Sequence, residues 1–296
     1  TSTTVVDAYV RPVIAPYLAR LAGAAARVRV LASNGGAMSA GDAAETPART
    51  LLSGPAAGVV GALAVARACG VADAITLDMG GTSTDVALIT GGQLALADEA
   101  TVAGCVLQLP MLGIHTVGAG GGSIAWLDPG NALKVGPESA GAEPGPAAYD
   151  RGGTRPTVTD ANVVLGRLPA GGLLGGAMPL SPARARAALE PLAAALGVSV
   201  EAAAEDLVAV AVAVMARAIK VVSVERGHDP AGFTLLPFGG AGGLQACAVA
   251  RELGMTRILV PPSPGLLGAA GALGADVAHD FVATVLRPAG ARLPPS

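Results

Sequence analysis

Apolar residues recur at near-helical spacing over residues 5–21, but Pro12 and Pro16 fall inside the run, which predicts a short, interrupted helix. Residues 28–32 predict a strand that ends in the turn Ser33-Asn34-Gly35-Gly36. An apolar run from Pro55 to Ala68 predicts a helix with its proline in the first turn. Three short apolar segments follow at 75–78, 84–89 and 93–97, separated by a turn at 79–82 and by Gly91-Gly92, and they predict a β-meander. Further short strands are expected over 103–135 around Gly118 to Gly122, and residues 136–157 are rich in Pro and Gly. Helical periodicity returns at 181–196 and 200–225, with Gly197 as the stop between them. The last third alternates strand 234–237, helix 244–253, strand 257–260 and helix 266–277. This alternation predicts an α/β sheet, with the Gly/Pro-rich and helical region as an insertion. No short fixed repeat is visible, yet Gly-Gly turns recur after strands at Gly35-Gly36, Gly80-Gly81, Gly120-Gly121-Gly122 and Gly239-Gly240.

Composition narrows the class. The 296 residues allow one large domain or two ordinary ones. A hydrophobic fraction of 52% suggests a membrane protein until its alanine content and its 2% of aromatic residues are considered. The long uncharged stretches at 101–127 and 258–275 are broken by glycine and proline runs, and the uncharged part of the best helix, 207–216, is too short to span, so a buried helix is expected there. A net charge of −3 with no basic cluster excludes a nucleic-acid footprint. Cys69, Cys105 and Cys247 are odd in number and far apart, which argues against disulfides or zinc and for a reducing, cytoplasmic compartment. The chain opens at Thr1 without a signal segment, and the expectation is a piece cut from something longer.

The candidate chemistry centres on Asp78-Met79-Gly80-Gly81-Thr82-Ser83-Thr84-Asp85, between two apolar strands. Converging backbone N–H groups hold phosphate well, and residues without a Cβ let the main chain approach. Gly80 and Gly81 supply that approach, while the hydroxyls of Thr82, Ser83 and Thr84 add donors. Asp78, at a strand end, is positioned to hold hydrated Mg²⁺, and Asp85 to orient water or metal from the opposite side of the turn. The competing reading is a plain hairpin with a flexible turn; the length of the string favours the phosphate loop. A second glycine-rich turn, Gly239-Gly240-Ala241-Gly242, precedes a helix and suits a flat base or ribose lying on backbone, or equally a close-packed βα turn. His115, just before the Gly118 to Gly122 loop, is a candidate donor to phosphate or carbonyl, set against a structural role. Glu138 and Asp160 have cap or turn roles as their simpler reading. Arg217, Lys220 and Arg226 suit a helix C-terminus, and His228 and His279 have no assigned role.

Several strings together resemble the hydantoinase A/5-oxoprolinase family: Ser33-Asn34-Gly35-Gly36, Ser53-Gly54-Pro55-Ala56, residues 77–86, Ile114-His115-Thr116-Val117-Gly118, Gly136-Pro137-Glu138-Ser139-Ala140-Gly141, Pro156-Thr157-Val158-Thr159-Asp160-Ala161-Asn162 and Ser223-Val224-Glu225-Arg226-Gly227. The resemblance covers nearly the whole chain, taken as one domain of that type over 1–296 with a disordered tail at 286–296. It implies a ribonuclease H-like, actin/Hsp70-type ATPase fold, a mixed sheet flanked by helices, with ATP between two halves. By it, residues 78–84 are the second phosphate motif, 238–243 the adenosine motif and 264–274 the second hinge helix. The family's first Asp-x-Gly-Gly-Thr loop precedes anything present here, so the isolated chain is expected to bind ATP weakly and not to turn it over. Gly113 and Gln245 depart from the family's usual Asp and His, which leaves substrate chemistry at those positions open.

The resemblance further implies ATP- and Mg²⁺-dependent opening of a cyclic amide such as a hydantoin or 5-oxoproline, by phosphorylation of the amide oxygen, with a hydantoinase B-like partner subunit. The alternatives are the ATP-using subunit of an acetone-type carboxylase and a non-catalytic actin-like nucleotide-binding module. Apolar surface left open on a half-cleft would favour a homo-oligomer.

Overall fold

The computed structural model describes residues 2–25, 27–169 and 171–278. The tail at 286–296 and His279 lie outside the described residues. Strands β1 (Ala74–Met79) and β2 (Thr84–Thr90) form the antiparallel hairpin expected from their apolar alternation, and β3 (Gln93–Leu94) extends it. The expected third strand at 93–97 is split: Leu96–Ala97 leaves the sheet to pair with Met111–Leu112. Its place beside β2 is taken by β4 (Ile114–Val117). Next, β5 (Ser123–Leu127) and β6 (Leu133–Ser139) form a separate two-stranded ribbon. The chain returns to the sheet with β7 (Thr234–Phe238) and β8 (Arg257–Ile258), both parallel to β1. The order is therefore β4-β2-β1-β7-β8, antiparallel on one side of β1 and parallel on the other.

Helices cover both faces. α1 (Ser2–Ala24) is continuous, against the expectation of an interrupted helix. Pro12 and Pro16 sit four residues apart on its exposed side, where water can satisfy the carbonyls that lose their N–H partners. α2 (Ser53–Ala68), α3 (Val158–Val164), α4 (Pro182–Leu196) and α5 (Val200–Val222) follow, then α6 (Gly242–Glu252) and α7 (Leu267–Gly274). α4 ends at Gly197 in the left-handed conformation, as its sequence predicts. The run 200–225 stops earlier as an α-helix, at Val222, and 266–277 stops at Gly274.

Because successive strand residues point to opposite faces, Ile75, Leu77, Met79, Val86, Leu88 and Leu235 form one core with α4, α5 and α6. Ala74, Ile89, Leu236 and Phe238 form another with α2 and α7. The segment Val200–Arg226, with mean hydropathy 2.2, is long and apolar enough to cross a membrane by length and composition, contrary to the estimate from its uncharged part. Leu207, Ala211, Met215 and Ile219 nevertheless bury against the sheet, so its apolar face already has a partner. α2 and α7 cross at glycine: a Cβ on Gly271 would stand 1.9 Å from the Ala57 carbonyl oxygen, and one on Gly61 2.5 Å from that of Leu267.

Candidate functional site

The parallel pairing of β1 and β7 puts Phe238 in register with Asp78, so the two glycine-rich turns leave the sheet side by side at the C-terminal ends of these strands. In open α/β sheets this is where ligands bind. The Ala241 N–H donates to the Met79 carbonyl at 2.9 Å, tying one turn to the other. A Cβ on Gly239 would lie 2.3 Å from Asp78 Oδ1, and its φ of +78° is also one that glycine adopts freely.

Register assembles a row that spacing alone does not reveal. Phe238, Asp78, Asp85 and Thr116 are successive cross-strand partners on β7, β1, β2 and β4, and they share one face. Asp85 thus stands on the other arm of the turn from Asp78, its cross-strand partner on the same face of the sheet. Burial, and then repulsion from Asp85, push the Asp78 carboxyl up to about 6. Burial also raises Asp85, opposed by the hydrogen bond that the Thr116 hydroxyl donates to its Oδ1. Behind the row α2 presents Gly58, where a Cβ would stand 2.6 Å from the Phe238 ring and 3.2 Å from Asp78 Oδ2.

The turn between β1 and β2 is open to solvent at Gly81 and Thr82, half-buried at Gly80 and Ser83, and buried at Thr84. The Gly80 N–H is closed internally onto the Ser83 carbonyl at 3.0 Å. The Thr84 hydroxyl donates to the Ala119 carbonyl, so it is a brace and not the ligand donor expected of it. Residues 118–122 lie against the turn: Gly121 and Gly122 donate to the carbonyls of Gly80 and Gly81 at 2.9 and 2.6 Å, and a Cβ on Gly120 would come within 2.6 Å of the Thr82 nitrogen. The Thr159 hydroxyl holds this loop from behind through the Gly121 carbonyl at 2.9 Å.

The third catalytic candidate does not join the other two. His115 pairs with Val86, whose side chain belongs to the α5-facing core, and alternation puts His115 on that side, away from Asp85 and Thr116. Asp160 is fully buried and caps α3: its carboxylate accepts from the Thr157 N–H and hydroxyl and from the N–H groups of Ala147 and Ala148. Glu138 is exposed and paired with Arg155. Gln245 is buried, donating to Asn162 Oδ1 at 3.3 Å while its own Oε1 has no partner. At Gly113 the missing side chain leaves room for the Arg226 guanidinium, whose nearest nitrogen is 3.0 Å from where a Cβ would stand. His228 packs edge-on against Phe233, with ring centroids 5.8 Å apart.

Between the two turns lies a cavity of about 400 Å³. Gly80, Gly81, Gly121, Gly240 and Ala241 form its backbone-rich side, at the N-terminus of α6, which has no side-chain cap. Tyr149, Leu168, Leu173, Leu174 and Met178 supply an apolar wall that the sequence reading did not include. These side chains come from a segment far from either motif, and nothing in its local pattern points to the turns. Among the described residues no group of three or more His, Cys, Asp or Glu side chains could hold a metal ion; Asp78 and Asp85 stand as a pair.

Comparison with known proteins agrees with this architecture. The family model for hydantoinase/oxoprolinase matches residues 1–281. The chain is 41% identical over 292 residues to caprolactamase subunit alpha of Pseudomonas jessenii, covering 96% of this chain and 42% of that one. It is 38% identical to 5-oxoprolinase 1 of Arabidopsis thaliana, covering 94% of this chain and 24% of the relative. The crystal structure of ATP-dependent caprolactamase from Pseudomonas jessenii superposes with a TM-score of 0.81 at 39% identity, covering 94% of this chain and 41% of that one. A nucleotide-free structure of acetone carboxylase, from work on ATP-dependent acetone carboxylation, gives 0.78 at 36% identity, covering 84% and 35%. The chain thus spans less than half the length of these relatives. Matched over residues 1–281, both glycine-rich turns included, the chain belongs to the hydantoinase/oxoprolinase family.

Proposed function

We propose that this chain forms the phosphate- and base-gripping side of an ATP site in an enzyme that phosphorylates the oxygen of a cyclic amide and so opens the ring. The observation that carries this reading is the Asp78–Asp85 cross-strand pair beside the exposed Gly81-Thr82 backbone, with the Gly239-Gly240 turn hydrogen-bonded alongside. The strand order β4-β2-β1-β7-β8, with only β2 antiparallel to the rest, supports a ribonuclease H-like half of an actin/Hsp70-type ATPase.

An amide carbonyl is a poor electrophile, because nitrogen feeds electrons into it. Transfer of the terminal phosphoryl group to its oxygen releases ADP and turns that oxygen into part of a leaving group. Water then adds to the carbon, and the ring C–N bond breaks with its nitrogen leaving as a protonated amine and an acyl phosphate remaining. A second water displaces inorganic phosphate to give an open-chain amino acid or its ureido equivalent. For such a transfer the protein mainly positions and neutralises charge. The exposed amides near Gly81 and Thr82 would face phosphate oxygens, and the first turn of α6 would add its positive end. The apolar wall would receive the base.

The donor set fits Mg²⁺. Two adjacent carboxylates whose proton affinity is raised by burial, and at Asp78 also by its charged neighbour, gain from a shared divalent cation, and Mg²⁺ characteristically takes one or two carboxylates and completes its shell with water and phosphate oxygens. Asp78 and Asp85 would hold it, and it would supply charge neutralisation on the phosphates. Thr116 would fix the Asp85 rotamer by donating to it. Three exposed, free cysteines suit a reducing cytoplasm, and work within a complex with a second, hydantoinase B-like subunit is part of this reading.

The test is ADP release in the protein as its host makes it, with and without 5-oxoproline, hydantoin or caprolactam. Release stimulated by one of these and lost in Asp78→Ala supports the reading; stimulation that survives the substitution removes Asp78 from it. Dependence on bicarbonate and a ketone instead would favour a carboxylase, the activity of the acetone carboxylase to which this chain is similar.

A further inference from the structure

The apolar wall of the cavity ends in a small loop of unusual composition, Gly171-Gly172-Leu173-Leu174-Gly175-Gly176. Its base is fixed: the Leu173 N–H donates to the Met178 carbonyl at 2.8 Å, and the Met178 N–H returns a bond to the Leu173 carbonyl at 3.1 Å. Its tip is not packed. Leu174 is 80% exposed although it lines the cavity together with Gly80, Gly81 and Gly240. The backbone there is left-handed at Gly172, Leu174, Gly175 and Gly176, with φ of +86°, +54°, +65° and +93°.

For leucine that conformation is disfavoured, so something other than local preference selects it. No described neighbour gains by it, since the side chain is left largely in water. A flat apolar ligand in the cavity would gain, because Leu174 would add apolar cover to that of Tyr149, Leu168, Met178 and Leu244. Flanking glycine pairs let the tip swing with little steric resistance, while the Leu173–Met178 bridge holds its pivot.

Resting on the nucleotide reading above, we propose that Leu174 is a ligand-binding residue: the loop 171–176 is a strap that closes this leucine over the base of the bound nucleotide. The strap contributes to grip on the base and not to the phosphates, which lie at the glycine end of the cavity. Among the cavity-lining side chains, only Tyr149 and Thr159 carry hydrogen-bonding groups, and the Thr159 hydroxyl already donates to Gly121. The strap therefore recognises an apolar face more than a pattern of donors and acceptors on the base edge.

The experiment compares calorimetric binding of ADP and of pyrophosphate, each with Mg²⁺, to the protein as its host makes it and to its Leu174→Ala and Leu174→Phe variants. Leu174 is exposed, so neither substitution threatens folding. Leu174→Ala should weaken ADP roughly five- to twentyfold, the range expected from losing the burial of most of a leucine side chain, and leave pyrophosphate within about twofold. Leu174→Phe should restore ADP affinity. Unchanged ADP binding by Leu174→Ala, or equal losses for ADP and pyrophosphate, would overturn the strap while leaving the nucleotide site standing. Failure of the unsubstituted protein to bind ADP at all would overturn both.

Discussion

On one face of the central sheet, Ile75, Leu77, Met79, Val86 and Leu88 meet the leucine, methionine and isoleucine side chains of α5; on the other, the same strands carry Asp78 and Asp85 in a row with Thr116 and Phe238. These residues of the first face are all buried and apolar. Behind the second, α2 and α7 meet through Gly61 and Gly271, Gly58 leaves room for the Phe238 ring and Asp78, and two like-charged carboxylates are partly desolvated in front of them. Period-two alternation lets one pair of strands do both jobs, stability on one side and ligand chemistry on the other. Such a division predicts that substitutions on the two faces separate stability from ligand binding.

The largest effect should come where the helices cross behind the site. Gly271→Val forces side-chain atoms into the Ala57 carbonyl oxygen and should cost about 3 kcal/mol or more, or abolish folding, in urea denaturation. Gly268→Ala, with Gly58 N as its nearest neighbour at 3.9 Å, should be neutral or slightly stabilising, which separates close approach from mere helix position. Leu207→Ala, in the α5 core, should cost about 3 kcal/mol in the same measurement while leaving ADP affinity unchanged. A comparable loss of ADP affinity there would blur the contrast between the faces.

Asp78→Asn should act the other way round. It should lower lactam-stimulated turnover by roughly a hundredfold or more. Because the folded carboxyl titrates near 6 against an ordinary 3.8, the metal-free fold binds the proton more tightly than the unfolded chain does. The stabilisation is present below the ordinary carboxylate range and is lost as pH rises through about 6. Asp78→Asn should therefore raise Tm at pH 7.5 in the presence of a chelator and change it little near pH 3.5. A lower Tm at pH 7.5 would mean that the carboxylate is structural. Thr116→Val should be smaller: Asp85 loses the hydrogen bond that favours its ionised form, so its pKa rises further, visible as an upward move in a carboxyl NMR titration. Smallest of all, His115→Asn should leave the pH profile of turnover within about twofold, since His115 faces away from the carboxylate pair.

Much of this division was legible in the sequence, though not its assembly. The run from Asp78 to Thr84 announces a turn between strands with a carboxylate at its lip, and the Gly239-Gly240 turn announces a βα junction. What brings them together is the parallel pairing of β1 with β7, a contact across some 160 residues that no local pattern encodes. The same holds for Thr116 beside Asp85, since register depends on where β4 docks. Thr84 reads as a ligand hydroxyl until it is seen to donate its hydrogen bond to the Ala119 carbonyl. Pro12 and Pro16 read as breaks because propensity describes a helix interior, whereas both prolines lie on the solvent side of α1.

The central claim is that Asp78 and Asp85 hold one divalent cation beside a phosphate-binding backbone. Electron paramagnetic resonance of Mn²⁺, titrated into the host-made protein with and without ADP, reads that cation directly. The account predicts ADP-enhanced Mn²⁺ uptake at one site per chain, strongly weakened in Asp78→Asn and in Asp85→Asn. Uptake in both variants indistinguishable from that of the unsubstituted protein would contradict it.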